Sequence, residues 1–285
     1  MQFQKGNFRT RALSLAGAAA LAVSFNAQAN LINGIVDTWN VNVATVFNTA
    51  TICDSNNDCT QPNGITIVNN QTLLWGSGGQ SGLAITNSPS NANVNTNGAA
   101  VPNVSITHTN QPITGTTLKS LDILSTLTLT PFAPPGASLP STVITFPVNY
   151  LETPNGDAPC ADGGANGVGL NINGCADIYV TSNTSLNFPF FYDLDGAGSL
   201  YNPVPYFISF FEATHGLNPL SAAACAAVGV ASPCLGFETP ESANTTVQFA
   251  ALITTQPVSV VPEPGSLALV GLALAAFGLR RRRSH

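Results

Sequence analysis

The chain has 285 residues and a net charge of −6, but few ionisable groups: eight Lys+Arg and fourteen Asp+Glu. Nearly all the cations stand at the two ends, so the body, Asn30–Val260, keeps only Lys119 against thirteen acids, a net charge of −12. One lysine and no arginine cannot grip nucleic acid, phosphate or anionic lipid, and folding is left to burial, backbone ladders and disulfides rather than salt bridges.

The N-terminus carries Lys5, Arg9 and Arg11, then the apolar stretch Ala12–Phe25, then Ala27-Gln28-Ala29. A basic region, a short apolar core and small residues at −3 and −1 are the layout of a secretory signal peptide. Residues 1–29 are therefore read as a leader delivered to the secretion machinery, cleaved after Ala29 with Ala27 at the second small position.

Residues 30–260 read as short strands separated by Asn/Gly/Pro/Ser turns. Strands are expected at Gly34–Phe47, Thr72–Trp75, Leu83–Thr86, Val104–His108, Ser120–Thr130, Thr142–Leu151, Asp177–Thr181, Tyr206–Glu212 and Thr245–Thr254. In Leu121–Leu129 the apolar residues fall at 121, 123, 127 and 129, a period of two with one wet face, the mark of an antiparallel sheet buried on one side. The expectation is an all-β fold, an antiparallel β-sandwich with a jelly-roll-like character, in one domain because no linker divides it. Asn87–Asn97 is expected to be a long polar loop, and His215–Val228 a helical patch. The aromatic stretches Asn187–Leu194 and Tyr206–Phe211 are expected to be core for the most part.

The six cysteines stand in three close pairs. In an oxidising compartment sequence-local closure is the simplest pairing, giving Cys53–Cys59, Cys160–Cys175 and Cys225–Cys234. A metal site is the rival, but no histidine lies near a cysteine pair, and zinc needs tighter clusters.

Candidate chemistry is sparse. In Thr107-His108-Thr109-Asn110 a strand would place the two threonines on one face and His108 with Asn110 on the other. The pair could hold the following Gln111-Pro112 turn, contact a ligand, or serve catalysis; a catalytic histidine needs a nucleophile and an orienting acid, and no Gly-x-Ser-x-Gly or His-Glu-x-x-His pattern is present. His215, beside Gly216, reads as a cap or surface residue. Asp54, Asn56 and Asp58 alternate inside Cys53–Cys59, as calcium loops do, but without the glycine and distant glutamate of an EF-hand; Asx residues also form turns for local reasons. Asp193 and Asp195 before Gly196 pose the same choice between Ca2+ and a tight turn. No other cofactor is expected.

The C-terminus joins Pro262-Glu263-Pro264 to an apolar run, Gly265–Leu279, and to Arg280, Arg281, Arg282 and Arg283. As a helix, 15 residues at ~1.5 Å each reach roughly 22 Å, short of a bilayer core of ~30 Å. Arginines beside such a span stay cytoplasmic, which leaves the body outside. A Pro-Glu-Pro triplet, a short span and an arginine cluster at a chain end resemble the PEP-CTERM sorting signal of Gram-negative bacteria. The resemblance implies that residues 261–285 hold the chain in the inner membrane transiently, until an exosortase cuts near the triplet and the body reaches the cell surface or extracellular matrix. It also implies association with exopolysaccharide and biofilm. Thr107-His108-x-Asn110, with Leu73–Ile85 and Leu235–Phe249, resembles the THxN subset of these proteins, which implies no activity. The functional expectation is a non-enzymatic structural or adhesive surface protein. The alternatives are a calcium-dependent glycan-binding module and, further off, an extracellular hydrolase, which would need two carboxylates facing across a cleft.

Overall fold

The computed structural model describes residues 34–181, 187–196, 202–214 and 217–258. They form two seven-stranded sheets, with strands numbered in chain order. One sheet runs β12 (Asn218–Pro219), β13 (Leu235–Thr239), β9 (Asp177–Thr181), β8 (Thr142–Leu151), β7 (Leu118–Ala133), β1 (Thr38–Asp54) and β5 (Ser90–Asn95). The other runs β10 (Asn187–Tyr192), β11 (Val204–Glu212), β14 (Asn244–Thr254), β6 (Val101–Thr109), β4 (Ser81–Thr86), β3 (Thr72–Trp75) and β2 (Ile65–Asn69). Neighbours pair antiparallel throughout. The chain crosses between sheets at β1–β2, β4–β5, β5–β6, β6–β7, β9–β10, β11–β12 and β13–β14, as in a jelly roll.

The long strands β1 and β7 obey period two closely. Trp39, Val41, Val43, Thr45 and Phe47 point inward, and opposite them so do Leu121, Ile123, Ser125, Leu127 and Leu129. Burying each large aliphatic side chain contributes roughly 1.5–3 kcal/mol, which is what selects this register. Their partners across the core come from the second sheet: Leu73, Trp75, Leu83, Ile106, Ile208, Val247 and Ile253. Trp39 joins the sheets at one end, with Phe190, Tyr192 and Tyr206 edge-on at 5.2, 5.2 and 5.1 Å.

With charges scarce, outward faces are joined by neutral pairs. Thr107 meets Thr246 at 2.8 Å, Thr128 meets Ser141 at 2.7 Å, and Asn40 meets Asn91 at 2.6 Å. Lys119 hydrogen-bonds the Asn57 side chain.

Two expectations are corrected. Asn87–Asn97 is not a long loop: Ser90–Asn95 is edge strand β5, paired with β1 from Asn95↔Thr38 to Ser90↔Val43. Buried Val94 and Ser90 and the amide ladder to Asn40 override the low strand propensity of asparagine. The helical patch is one short helix, α1 (Ala222–Ala227), capped by the Ser221 hydroxyl accepting from Ala224 N at 2.9 Å; upstream, Asn218–Pro219 pairs with β13 instead. α1 covers the outer face of β9, where Ala224, Cys225 and Cys234 pack on Ile178 and Val180. Strand β9 is thus buried on both sides.

All six cysteines are paired as Cys53–Cys59, Cys160–Cys175 and Cys225–Cys234. Each closes one loop: the β1 exit, the β8–β9 connection and the α1–β13 connection.

Candidate functional site

His108 lies on β6 between Leu83 of β4 and Thr245 of β14 and points into the sandwich, while Thr107 faces outward. Across the core stands Tyr150, near the end of β8. Tyr150↔Tyr179 and Leu151↔Ile178 are the last β8–β9 pairs, so Glu152 and Asp177 stand at the next position, where the two strands separate. The loop they flank is closed by Cys160–Cys175. Trp75, at the end of β3, completes the group. It is followed by Gly76 at φ +87°, where a Cβ would meet Ile113 at 2.4 Å, so only glycine lets the chain turn there.

The contacts are tight. Tyr150 Oη lies 2.5 Å from Asp177 Oδ2, 2.8 Å from Glu152 Oε2 and 3.0 Å from His108 Nε2. The hydroxyl hydrogen goes to carboxyl oxygen, which leaves the Tyr150 lone pairs to accept from His108 Nε2–H. Trp75 Nε1–H donates to Glu152 Oε2 at 2.9 Å, and Thr153 N–H donates to Asp177 Oδ1 at 2.9 Å. The Trp75 and His108 rings stack at 5.9 Å, and Tyr150 sits edge-on to both.

Burial governs the electrostatics. His108, fully buried, is pushed down to about 3 by loss of solvent and is neutral at ordinary pH. Asp177 is pushed up to about 9, first by burial and then by the charge of Glu152. Glu152 is raised too, mainly by burial, and Tyr150 well above its usual value for the same reason. The two carboxyls hydrogen-bond one another and hold a proton between them. The 3.7 Å approach of His108 to Asp177 is therefore a contact between neutral groups, not an ion pair. Glu241, also buried, adds its charge to the field on Glu152.

Asn110 also points inward. Its Nδ2 donates to Thr239 O at 3.0 Å and its backbone N–H to Ala243 O at 2.9 Å, which ties the end of β6 to the β13–β14 turn. Thr107, His108 and Asn110 thus serve three places: an outer hydroxyl pair, the proton-sharing cluster and a strand tie. Ser81 Oγ, rather than His108 or Asn110, receives Gln111 N–H at 3.1 Å.

The aspartate loops differ. Asp54 is buried and its carboxylate accepts from Asn56, Asp58 and Asn63 N–H at 2.9, 3.0 and 3.0 Å, so its acidity is increased, chiefly by Asn63. Asp58 Oδ1 accepts from Thr60 and Gln61 N–H, again lowering its pKa. Both carboxylates organise the Cys53–Cys59 loop. Asp193 and Asp195 hydrogen-bond one another, and that bond raises Asp193 first. Among the described residues, no group of three or more His, Cys, Asp or Glu side chains is placed to hold a metal ion.

Glu152, Asp177, Tyr150, Trp75 and Glu241 were not singled out in the sequence. Glu152 and Asp177 are separated by a whole loop, and only the β8–β9 pairing brings them together. One signal was available: an acid at each end of a disulfide-closed loop.

Ala27, Ala29, His215, Pro262, Glu263, Pro264 and Arg280–Arg283 lie outside the described residues. The C-terminal segment is decided by comparison. Residues 260–283 match the PEP-CTERM protein-sorting motif. The match spans the Pro-Glu-Pro triplet, the apolar run and the arginine cluster. The PEP-CTERM motif implies an exported, membrane-transiting chain that an exosortase processes. A comparison with curated proteins finds no match.

Proposed function

We propose that this PEP-CTERM protein is a non-enzymatic structural or adhesive component of the cell surface or extracellular matrix of a Gram-negative, exopolysaccharide-producing bacterium, of the THxN type. One observation carries the reading: His108, Tyr150 and Asp177 are buried, with half-buried Glu152 beside them, in a cluster that joins the sheets, whereas the outer strand faces offer rows of hydroxyls and amides. Such neutral donors and acceptors suit a polyol matrix, and three disulfides suit life outside the cell. The test is to delete the gene and measure cohesion of the host's exopolysaccharide matrix, with co-sedimentation of the mature protein on that polysaccharide. Loss of cohesion at unchanged growth, and co-sedimentation, are expected. An unchanged matrix and a protein that stays in the supernatant refute the reading.

A second reading, calcium-dependent glycan binding, is favoured by Phe191. It is 66% exposed and stands two residues before Asp193, whose carboxyl faces that of Asp195. An exposed ring beside paired carboxyls is the combination that sugar stacking with a bridging cation requires.

A further inference from the structure

The sheets do not close on each other along their whole length. Val43, Ile123 and Ile144 of one sheet face Ile106, Phe210 and Phe249 of the other across a partly open cavity of about 80 Å³. Its rim is marked by the half-buried Leu217, Leu235 and Thr181. A second apolar cavity, of about 230 Å³ toward Leu139 and Phe188, shares Leu127 and Ile144 as wall residues, so the two adjoin and together make a slot along β7 and β8.

Most of the polar groups in the wall are committed within the protein. Thr45 Oγ1 meets Ser125 Oγ at 2.9 Å, Asn103 Oδ1 accepts from Val104 N–H at 2.8 Å, and Thr181 Oγ1 donates to Pro147 O at 3.3 Å. The Tyr179 hydroxyl, also in the wall, makes no hydrogen bond among the described residues, so it is left for one polar atom of a guest, while further buried polar groups without partners are disfavoured. Nor is a cation at hand: Lys119, the body's only one, is engaged at Asn57 by the Cys53–Cys59 loop. An apolar void between well-packed walls stays dry and takes apolar guests.

We propose that this slot is a binding site for one linear, uncharged aliphatic chain, of the kind carried by a long-chain alcohol or alkyl ester. Two small adjoining cavities suit a thin chain reaching from one into the other better than a compact ring system, and the missing cation selects against a free carboxylate. The site is distinct from the outer strand faces invoked for matrix adhesion, and it stands or falls separately.

The test uses mature protein recovered from the host surface. The neutral dye N-phenyl-1-naphthylamine is titrated in, then displaced with 1-decanol or with decanoate. Saturable fluorescence, displacement by 1-decanol and at least about tenfold weaker displacement by decanoate are expected, because no cation offsets burial of its charge. 1-Decanol also raises the thermal midpoint, since it binds only the folded state. Ile144→Trp fills the shared waist and abolishes displacement, while Phe191→Ala leaves it unchanged. Absence of saturable binding and of any decanol-dependent midpoint shift in the wild-type protein overturns the proposal. So does a folded Ile144→Trp protein that binds as the wild type does, or decanoate binding as tightly as decanol.

Discussion

Replacing Asp177 by Asn is expected to remove an alkaline loss of stability built into the inter-sheet cluster. The folded protein holds a proton on Asp177 up to pH about 9, whereas an unfolded aspartate releases it near 4. Between those limits unfolding releases a proton, so stability falls as pH rises, by about 1.4 kcal/mol per pH unit. His108 acts in the opposite sense. It titrates at about 3 when folded and near 6.5 when unfolded, so unfolding takes up a proton in that window and stability rises with pH. From about pH 4 to 6.5 the effects of Asp177 and His108 offset each other, and from 6.5 to 9 the Asp177–Glu152 carboxyl pair acts without the histidine, for a decline of roughly 3 kcal/mol. Glu238, half-buried and also raised, contributes equally to both proteins and drops out of the difference. Urea unfolding of the wild-type and Asp177→Asn proteins at half-unit intervals from pH 4.5 to 9 measures this directly. With no free thiol in the folded protein, disulfide exchange does not intrude at the alkaline end. The expected result is a plateau to about pH 6.5 followed by a decline in the wild type, and a flattened alkaline limb in Asp177→Asn. Superimposable profiles, or a wild-type protein whose stability is constant from pH 6.5 to 9, refute the argument.

Tyr150→Phe removes the hydroxyl shared by His108, Glu152 and Asp177, and is expected to cost about 1–3 kcal/mol in urea unfolding; a loss under about 0.5 kcal/mol contradicts its role as the hub. Replacing Cys160 and Cys175 by Ala opens a loop of 15 residues and is expected to lower stability by about 3 kcal/mol. Because the β8–β9 pairing rather than the loop sets Glu152 beside Asp177, the same variant keeps the alkaline limb. If the second reading of the function holds, Phe191→Ala and calcium chelation each reduce binding to the host polysaccharide, measured by co-sedimentation, without changing the thermal midpoint by more than chelation does in the wild type.

The sequence disclosed the fold where one face of a strand is apolar and the other polar. β3, β8 and β9 lie where period two and the turn residues put them. β1 ends seven residues later than expected, at Asp54 rather than Phe47, because its pairing with β7 resumes past a bulge between Asn48 and Cys53. β5 was hidden because asparagine reads as loop, although an edge strand needs only two buried side chains and a ladder partner. β10 and β13 escaped because prolines and glycine interrupt them; Gly236 is required where a Cβ would meet Tyr179 O at 2.0 Å. Pairing cysteines by proximity worked because each disulfide closes a single connection. The candidate site was half legible. Alternation placed His108 and Asn110 on one face, which the sandwich turns inward, but nothing local connects His108 to Tyr150, Glu152 and Asp177. Those contacts are set by sheet packing and by β8–β9 register, both properties of the assembled sandwich.

Export and sorting are tested most directly by the intact mass of the protein recovered from the host's surface or medium, with and without reduction and alkylation. A species beginning at Asn30, ending near Pro262–Pro264 and taking up six alkyl groups only after reduction is the predicted result. A chain that keeps Leu267–His285 at the cell surface contradicts exosortase processing, and alkylation without reduction contradicts the three disulfides on which the fold depends.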